Sequence, residues 1–230
     1  MIIDMHIHPI FYDIICQDEK EVEFRKENFG VFKQSPYGLD EILIEMNYAK
    51  VDKAALLPLD LTTEKQGWIV SNNQIAEIIK ACPDRFIGFA SVDPKRKDAL
   101  EVLDHAFGEL GLKGLKLNPA KQHFLPDDQQ MAPIYKKCVE YNKPIIFHAG
   151  LSWEPDTVTE YAHPFRFERV AEKYPELRMC LAHFAWPFVR EMVMLMIKYP
   201  NVYTDTSVLY MDSPTESIRR LFTVDMGELW

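Results

Sequence analysis

Short, almost continuously apolar runs alternate along this chain with longer stretches in which apolar residues recur every three or four positions. The short runs cover residues 2–7, 54–57, 86–92, 112–117, 144–148, 178–182 and 202–204. Such unbroken hydrophobicity is what strands covered on both faces require. Between them, Leu39, Ile42, Leu43 and Met46 fall at i, i+3, i+4 and i+7, the core stripe of a helix. Ile75, Ile78, Ile79 and Cys82 repeat that spacing, with Ser71 and Gln74 placed as a capping box and Pro83 as a stop. Leu100, Leu103, Phe107 and Leu110 form the next face, followed by Met131, Ile134, Cys138 and Tyr141. Phe188, Met192, Leu195 and Tyr199 form another, after a shorter helix near residues 167–174. Strand then helix, repeated, predicts an α/β fold built on a parallel sheet with right-handed crossovers. An open doubly wound sheet would carry a Gly-rich phosphate turn after its first strand. Here that strand runs into HIHPIFYD, and histidines stand at the ends of several strands, where a (β/α)8 barrel keeps its chemistry. The expectation is a TIM-type barrel, with about seven strands readable.

Composition narrows the class without changing the fold. The 230 residues are 47% hydrophobic and 27% charged, ordinary for a globular protein, and no Gly- or Ser-rich linker divides them. One domain over residues 1–230 is expected. The net charge of −9 argues against nucleic acid as a partner. The apolar stretch 192–197 is far short of the roughly 20 residues a membrane span needs. Polar residues Asp4, His6 and His8 stand where a signal peptide would be apolar, which makes a cytoplasmic address the natural reading. Cys16, Cys82, Cys138 and Cys180 are scattered and read as free thiols.

Of the seven histidines, four lie at or near predicted strand ends: His6, His8, His148 and His183. His6 and His8 are two apart on the first strand, so both face the same side. A lone histidine at a strand end is more often a satisfied polar residue than a ligand. An H-x-H pair joined by two more at later strand ends favours a metal site, because neutral imidazoles suit zinc. His105 reads as a surface residue on a helix, His123 as a loop residue, and His163 as a helix opener beside Pro164.

The opening IDMHIHP resembles the D-x-H-x-H-P start of the amidohydrolase superfamily of metal-dependent barrels. GLKGLKLNP, KPIIFHAG, LRMCLAHFAWP and NVYTDTS, in this order, are similar to the amidohydrolase-2 group, which includes aminocarboxymuconate-semialdehyde decarboxylase and related aromatic-acid decarboxylases. TatD-type nucleases also start H-x-H, but would place a Glu in the fourth strand where this chain reads GLKLNP. The resemblance implies that His6, His8 and His148 hold one divalent metal, zinc or else manganese, and that His183 is the inner catalytic histidine. Three neutral ligands leave the ion's charge uncancelled, which acidifies bound water. Lys116 is assigned a structural or substrate-facing role, and Asp205 is balanced between orienting its neighbours and capping a turn. Trp153, Phe184, Trp186 and Arg166 lie on loops that would surround the mouth, where they either stack on and neutralise an aromatic carboxylate or pack as a rim.

The family pattern continues with an eighth strand bearing an Asp. Here Ser213, Pro214 and Glu216 spell a helix start, and Ile218, Leu221 and Phe222 keep helical spacing, so Asp225 falls on a helix. The eighth strand is therefore expected to be missing from this chain. Two functions stand side by side. One is a metal-dependent enzyme acting on a small organic acid, amide or ester, by activated water or by decarboxylation, with self-association as an option. The other is a non-catalytic or inactive truncated barrel that binds metal weakly or needs a partner chain.

Overall fold

The computed structural model describes residues 1–29 and 34–207. Ten strands are found there: β1 (Ile3–Ile7), β2 (Lys53–Leu56), β3 (Asp60–Leu61), β4 (Gly67–Trp68), β5 (Phe86–Gly88), β6 (Ala90–Ser91), β7 (Leu115–Leu117), β8 (Ile145–Phe147), β9 (Met179–Leu181) and β10 (Val202–Thr204). β3 and β4 form a small antiparallel ribbon. The others make two parallel sheets, β1-β2-β5 and β6-β7-β8-β9-β10. β5 and β6 belong to one run that bends at Phe89: its amide donates back to Leu56 (3.0 Å), while Ala90 donates forward to Gly114 (2.8 Å). The two sheets thus join into one arc of parallel strands in chain order, the wall of a TIM-type barrel. Helices on its outside follow the predicted faces, including Leu39–Tyr48, Asn72–Ala81, Ala132–Glu140, Pro164–Lys173 and Val189–Lys198. The Ser71–Gln74 capping box forms in full at the start of Asn72–Ala81.

The alternation of a strand sorts its residues between two cores. Leu56, Leu115, Leu117, Ile145, Phe147, Met179 and Leu181 face the helices in the large outer core. Ala55, Leu57, Phe89, Ile146 and Ala182 form a small inner cluster, edged by Ile87 and Cys180. Lys116 lies between the outward Leu115 and Leu117 and pairs across the ladder with Ile146, which puts it in this inner layer, 1% exposed. Gly114 makes room for the bend, since a Cβ there would lie 2.3 Å from the Phe89 ring.

Two elements lack a hydrophobic signature in the sequence. Helix Glu19–Phe29 is polar almost all round and buries Arg25, whose guanidinium donates to the carbonyls of Ile10 (3.2 Å) and Ile15 (3.0 Å) and to Glu21 (2.9 Å). The β3–β4 ribbon has strands too short to show a period. The helix expected after Ser213 and the position of Asp225 lie outside the described residues. Among the described residues all four cysteines are free thiols, and no helix is long and apolar enough to cross a membrane.

Candidate metal centre

Four histidines converge where the C-terminal ends of β1, β8 and β9 meet. His6 lies in β1 and His8 one residue beyond it. His148 follows β8 and continues its ladder, its amide donating to Leu117 (2.9 Å). His183 follows β9. The ring centroid of His6 is 5.3 Å from that of His8 and 4.9 Å from that of His183, and His148 is 5.0 Å from His183. All four line one cavity of about 770 Å³ together with Lys116, Asn118, Lys121, Ser152, Trp153, Trp186 and Asp205.

Each ring is oriented by a bond on its far nitrogen. His8 Nδ1 lies 2.8 Å from the Leu57 carbonyl and His183 Nδ1 3.0 Å from the Ser207 carbonyl. A carbonyl only accepts, so both carry the proton on Nδ1 and leave the Nε2 lone pair free. His6 Nδ1 lies 2.8 Å from Asp205 Oδ2, so that ring too carries its proton on Nδ1, and its Nε2 lies 3.2 Å from Lys116 Nζ. His148 uses its other nitrogen, with Nε2 2.9 Å from Ser152 Oγ. Nothing in the sequence marks Ser152 or Ser207. Neither lies at a spacing that marks a ligand, and both act only through the fold.

Asp205 is the hub. Besides His6, its carboxylate accepts from the amides of His183 (3.0 Å) and Ser207 (3.1 Å) and from Ser207 Oγ (2.5 Å). Burial pushes its carboxyl up, but the His6 hydrogen bond and these donors outweigh it and hold Asp205 far below the usual range. The histidines move the other way. Burial, then the Lys116 charge, lowers His6, and burial lowers His8 and His148 well below 6.5. His183 falls to about 4, chiefly by burial and then by His6. At neutral pH this is a cluster of uncharged imidazoles beside one carboxylate. Burial also lowers Lys116, to about 8.

Backbone geometry is unusual at the same place. His183, Phe184 and Ala185 all have positive φ (60°, 50° and 50°), a region that disfavours side chains by about 1–2 kcal/mol per residue. Asp205 holds this turn from two sides, through the His183 amide at its carboxylate and the Phe184 amide at its carbonyl (2.9 Å).

Donor atoms of His6, His183 and Asp205 all lie within 4.8 Å of one another, close enough to share one cation. His8 and His148 face the same cavity. Four neutral imidazoles with a partly buried carboxylate form a donor set that fits a borderline divalent ion such as zinc.

A model of the amidohydrolase family matches residues 3–224. The chain belongs to the amidohydrolase family. Among curated proteins, the chain is 24% identical over 128 residues to 2-amino-3-carboxymuconate-6-semialdehyde decarboxylase of Dictyostelium discoideum. That match spans 49% of this chain and 36% of the relative. Among solved structures it is similar to a TIM-barrel protein from Bordetella bronchiseptica, at TM-score 0.72 and 23% identity over 94% of this chain and 78% of that one. It is also similar to 5-carboxyvanillate decarboxylase from Sphingomonas paucimobilis, at TM-score 0.60 and 15% identity over 98% and 85%. At these identities the structural likenesses establish the barrel fold.

Of the rim residues read from the sequence, Trp153 and Trp186 line the cavity and stack with centroids 6.1 Å apart and planes 22° from parallel. Phe184 packs against the outer core instead. Arg166 is neutralised by Glu160 and Asp127 and does not line the cavity. The cations that do are Lys116 and Lys121, and Lys121 is paired with Glu154 (2.7 Å). His123 bonds Glu64 (2.9 Å), and His163 caps helix Pro164–Lys173, both away from this site.

Proposed function

We propose that this single barrel domain is a metal-dependent hydrolase or carbon–carbon lyase acting on a small, unsaturated or aromatic organic acid. The observation that carries the reading is the convergence of four uncharged histidines on one cavity at the C-terminal ends of parallel strands. His6, His8 and His148 would hold a divalent ion, zinc or manganese. Asp205 on His6 Nδ1 and Leu57 on His8 Nδ1 fix the tautomers that present Nε2. When bound, such an ion supplies Lewis acidity for a substrate oxygen or for water.

The chain's own residues then divide the remaining work. His183 keeps its proton on Nδ1 against the Ser207 carbonyl, and with its acidity lowered to about 4 its Nε2 is a free base at neutral pH. In hydrolysis Nε2 takes the proton that attacking water loses. In decarboxylation the bond to the carboxylate carbon breaks, carbon dioxide leaves, its bonding electrons stay on the substrate carbon, and Nε2 takes a proton from water and passes it to that carbon. Trp153 and Trp186 offer a flat apolar face to a planar substrate, and Lys116 is a cation set into the cavity floor.

The test is metal analysis of the purified chain, followed by incubation of the loaded protein with carboxylated aromatics, lactones and amides. Carbon dioxide release identifies the lyase, and acid release without it the hydrolase. About one ion per chain with turnover abolished in H183N supports the reading. No bound metal, or turnover unaffected in H183N, sinks it.

A further inference from the structure

His6 has two nitrogens, and both are engaged. Nδ1 faces the Asp205 carboxylate at 2.8 Å and must therefore carry the ring proton. Nε2 then holds the single lone pair of the ring, and Lys116 Nζ stands 3.2 Å from it. An ammonium can only donate, so the bond runs from Lys116 to Nε2. Lys116 is 1% exposed and anchored in the middle of the central strand β7, between Leu115 and Leu117 in the outer core. It has no carboxylate within ion-pair distance among the described residues, and His6 Nε2 is its hydrogen-bond acceptor there.

Among the described residues no hydrogen bond reaches the Nε2 atoms of His8 and His183. Their far nitrogens bond to Leu57 and Ser207 carbonyls, and Lys116 bonds neither ring. The lysine is aimed at one atom, the one that the Asp205 bond leaves to a metal.

We infer that Lys116 and a divalent cation compete for the lone pair of His6 Nε2, so that Lys116 acts as a placeholder that must withdraw before metal binds and thereby weakens the site's affinity. This rests on the reading that the site takes a divalent ion. The physical argument is exclusion. One lone pair forms one bond, and an ion about 2.0–2.1 Å from Nε2 would lie closer to that atom than the ammonium now does at 3.2 Å. Keeping both would also set a dication against a buried monocation with little solvent to screen them.

The experiment compares apo wild-type chain with K116M and K116R, titrated with zinc and with manganese against a fluorescent chelator. Methionine matches the lysine stem in length and removes the charge, and arginine keeps a cation at the position. K116M is expected to bind metal at least tenfold tighter than wild type, and K116R no tighter. Equal or weaker binding by K116M, with the wild type binding normally, overturns the inference and leaves the metal reading intact. Binding by neither protein overturns both. A measurement on the wild type covers the case in which K116M does not fold. The Lys116 ζ-ammonium resonance, assigned by its absence in K116R, is expected to shift or vanish at one equivalent of zinc. A resonance unmoved at saturation overturns the competition.

Discussion

Asp205 gathers the His6 ring, the His183 amide and the Ser207 amide and hydroxyl on two oxygens. Removing its charge should therefore act on metal affinity through His6. D205N keeps the shape but can turn an NH2 toward Nδ1, which would move the ring proton to the atom the metal needs. A 10–100-fold loss of affinity is expected by chelator competition, and an unchanged value would contradict the role. The histidines make a second prediction about pH. Their native pKa values lie below the unfolded value of about 6.5, so the unfolded chain binds more protons as pH falls, and stability present above pH 6.5 is lost on acidification. For His183 the window runs from about 6.5 down to about 4, worth on the order of 3 kcal/mol. Metal-free protein should melt about 5–10 °C lower at pH 4.5 than at pH 7. H183N should shallow that slope, since Asn tolerates the left-handed backbone there. Of these residues the sequence disclosed the histidines, because histidine at a strand end is rare enough to notice. It left Asp205 ambiguous and Ser207 unseen, because a carboxylate after a strand serves turns as readily as rings.

Elements place these groups through two turns that touch. Gly150, just after His148, has φ +82°, and a Cβ there would lie 2.2 Å from the Trp186 carbonyl oxygen and 2.5 Å from the Ala185 carbonyl carbon. Those are backbone atoms of the turn that carries His183, and they cannot rotate away. The Leu151 amide also donates to the Trp186 carbonyl (2.8 Å), clamping the turns together. G150A should cost about 2–4 kcal/mol by urea unfolding, combining strain at positive φ with the clash. It should also weaken metal binding, since relief of the clash parts the turn of His148 from the turn of His183. A variant as stable as wild type would show that the turns yield freely. Here the legibility of the sequence divides by mechanism. Helix Asn72–Ala81 was readable because an apolar stripe and a capping box agree. The run at residues 86–92 was readable as a strand, but not its bend at Phe89, which depends on the absent side chain of Gly114. Helix Glu19–Phe29 was unreadable, since its anchor is one buried arginine rather than an apolar stripe. The left-handed turn at His183–Ala185 was equally hidden: neither phenylalanine nor alanine announces a positive φ, and Asp205 holds it from another strand.

At the scale of the molecule, the described strands form an arc whose first and last members, β1 and β10, are joined by a side-chain bond from His6 to Asp205. The donor groups come from β1, from the ends of β8 and β9, and from just after β10, so a single ion would cross-link segments far apart in sequence. An ion that binds the folded chain and not the unfolded one stabilises it by mass action, by about 2.7 kcal/mol at a hundredfold excess over Kd. For a chain of this size that is a rise in Tm of about 5–10 °C. The expected result is that zinc raises Tm in proportion to the logarithm of its concentration, that a chelator reverses the rise, and that H148A abolishes it. Proteolysis separates this from mere tightening of the whole fold. With β1 held through His6 and His8, cleavage in residues 1–20 should slow on adding zinc more than cleavage near the helix Ala132–Glu140, which contributes no donor. Equal protection at both places would mean that the ion binds elsewhere, and a Tm indifferent to zinc in wild type would mean that these histidines only fill the barrel's mouth.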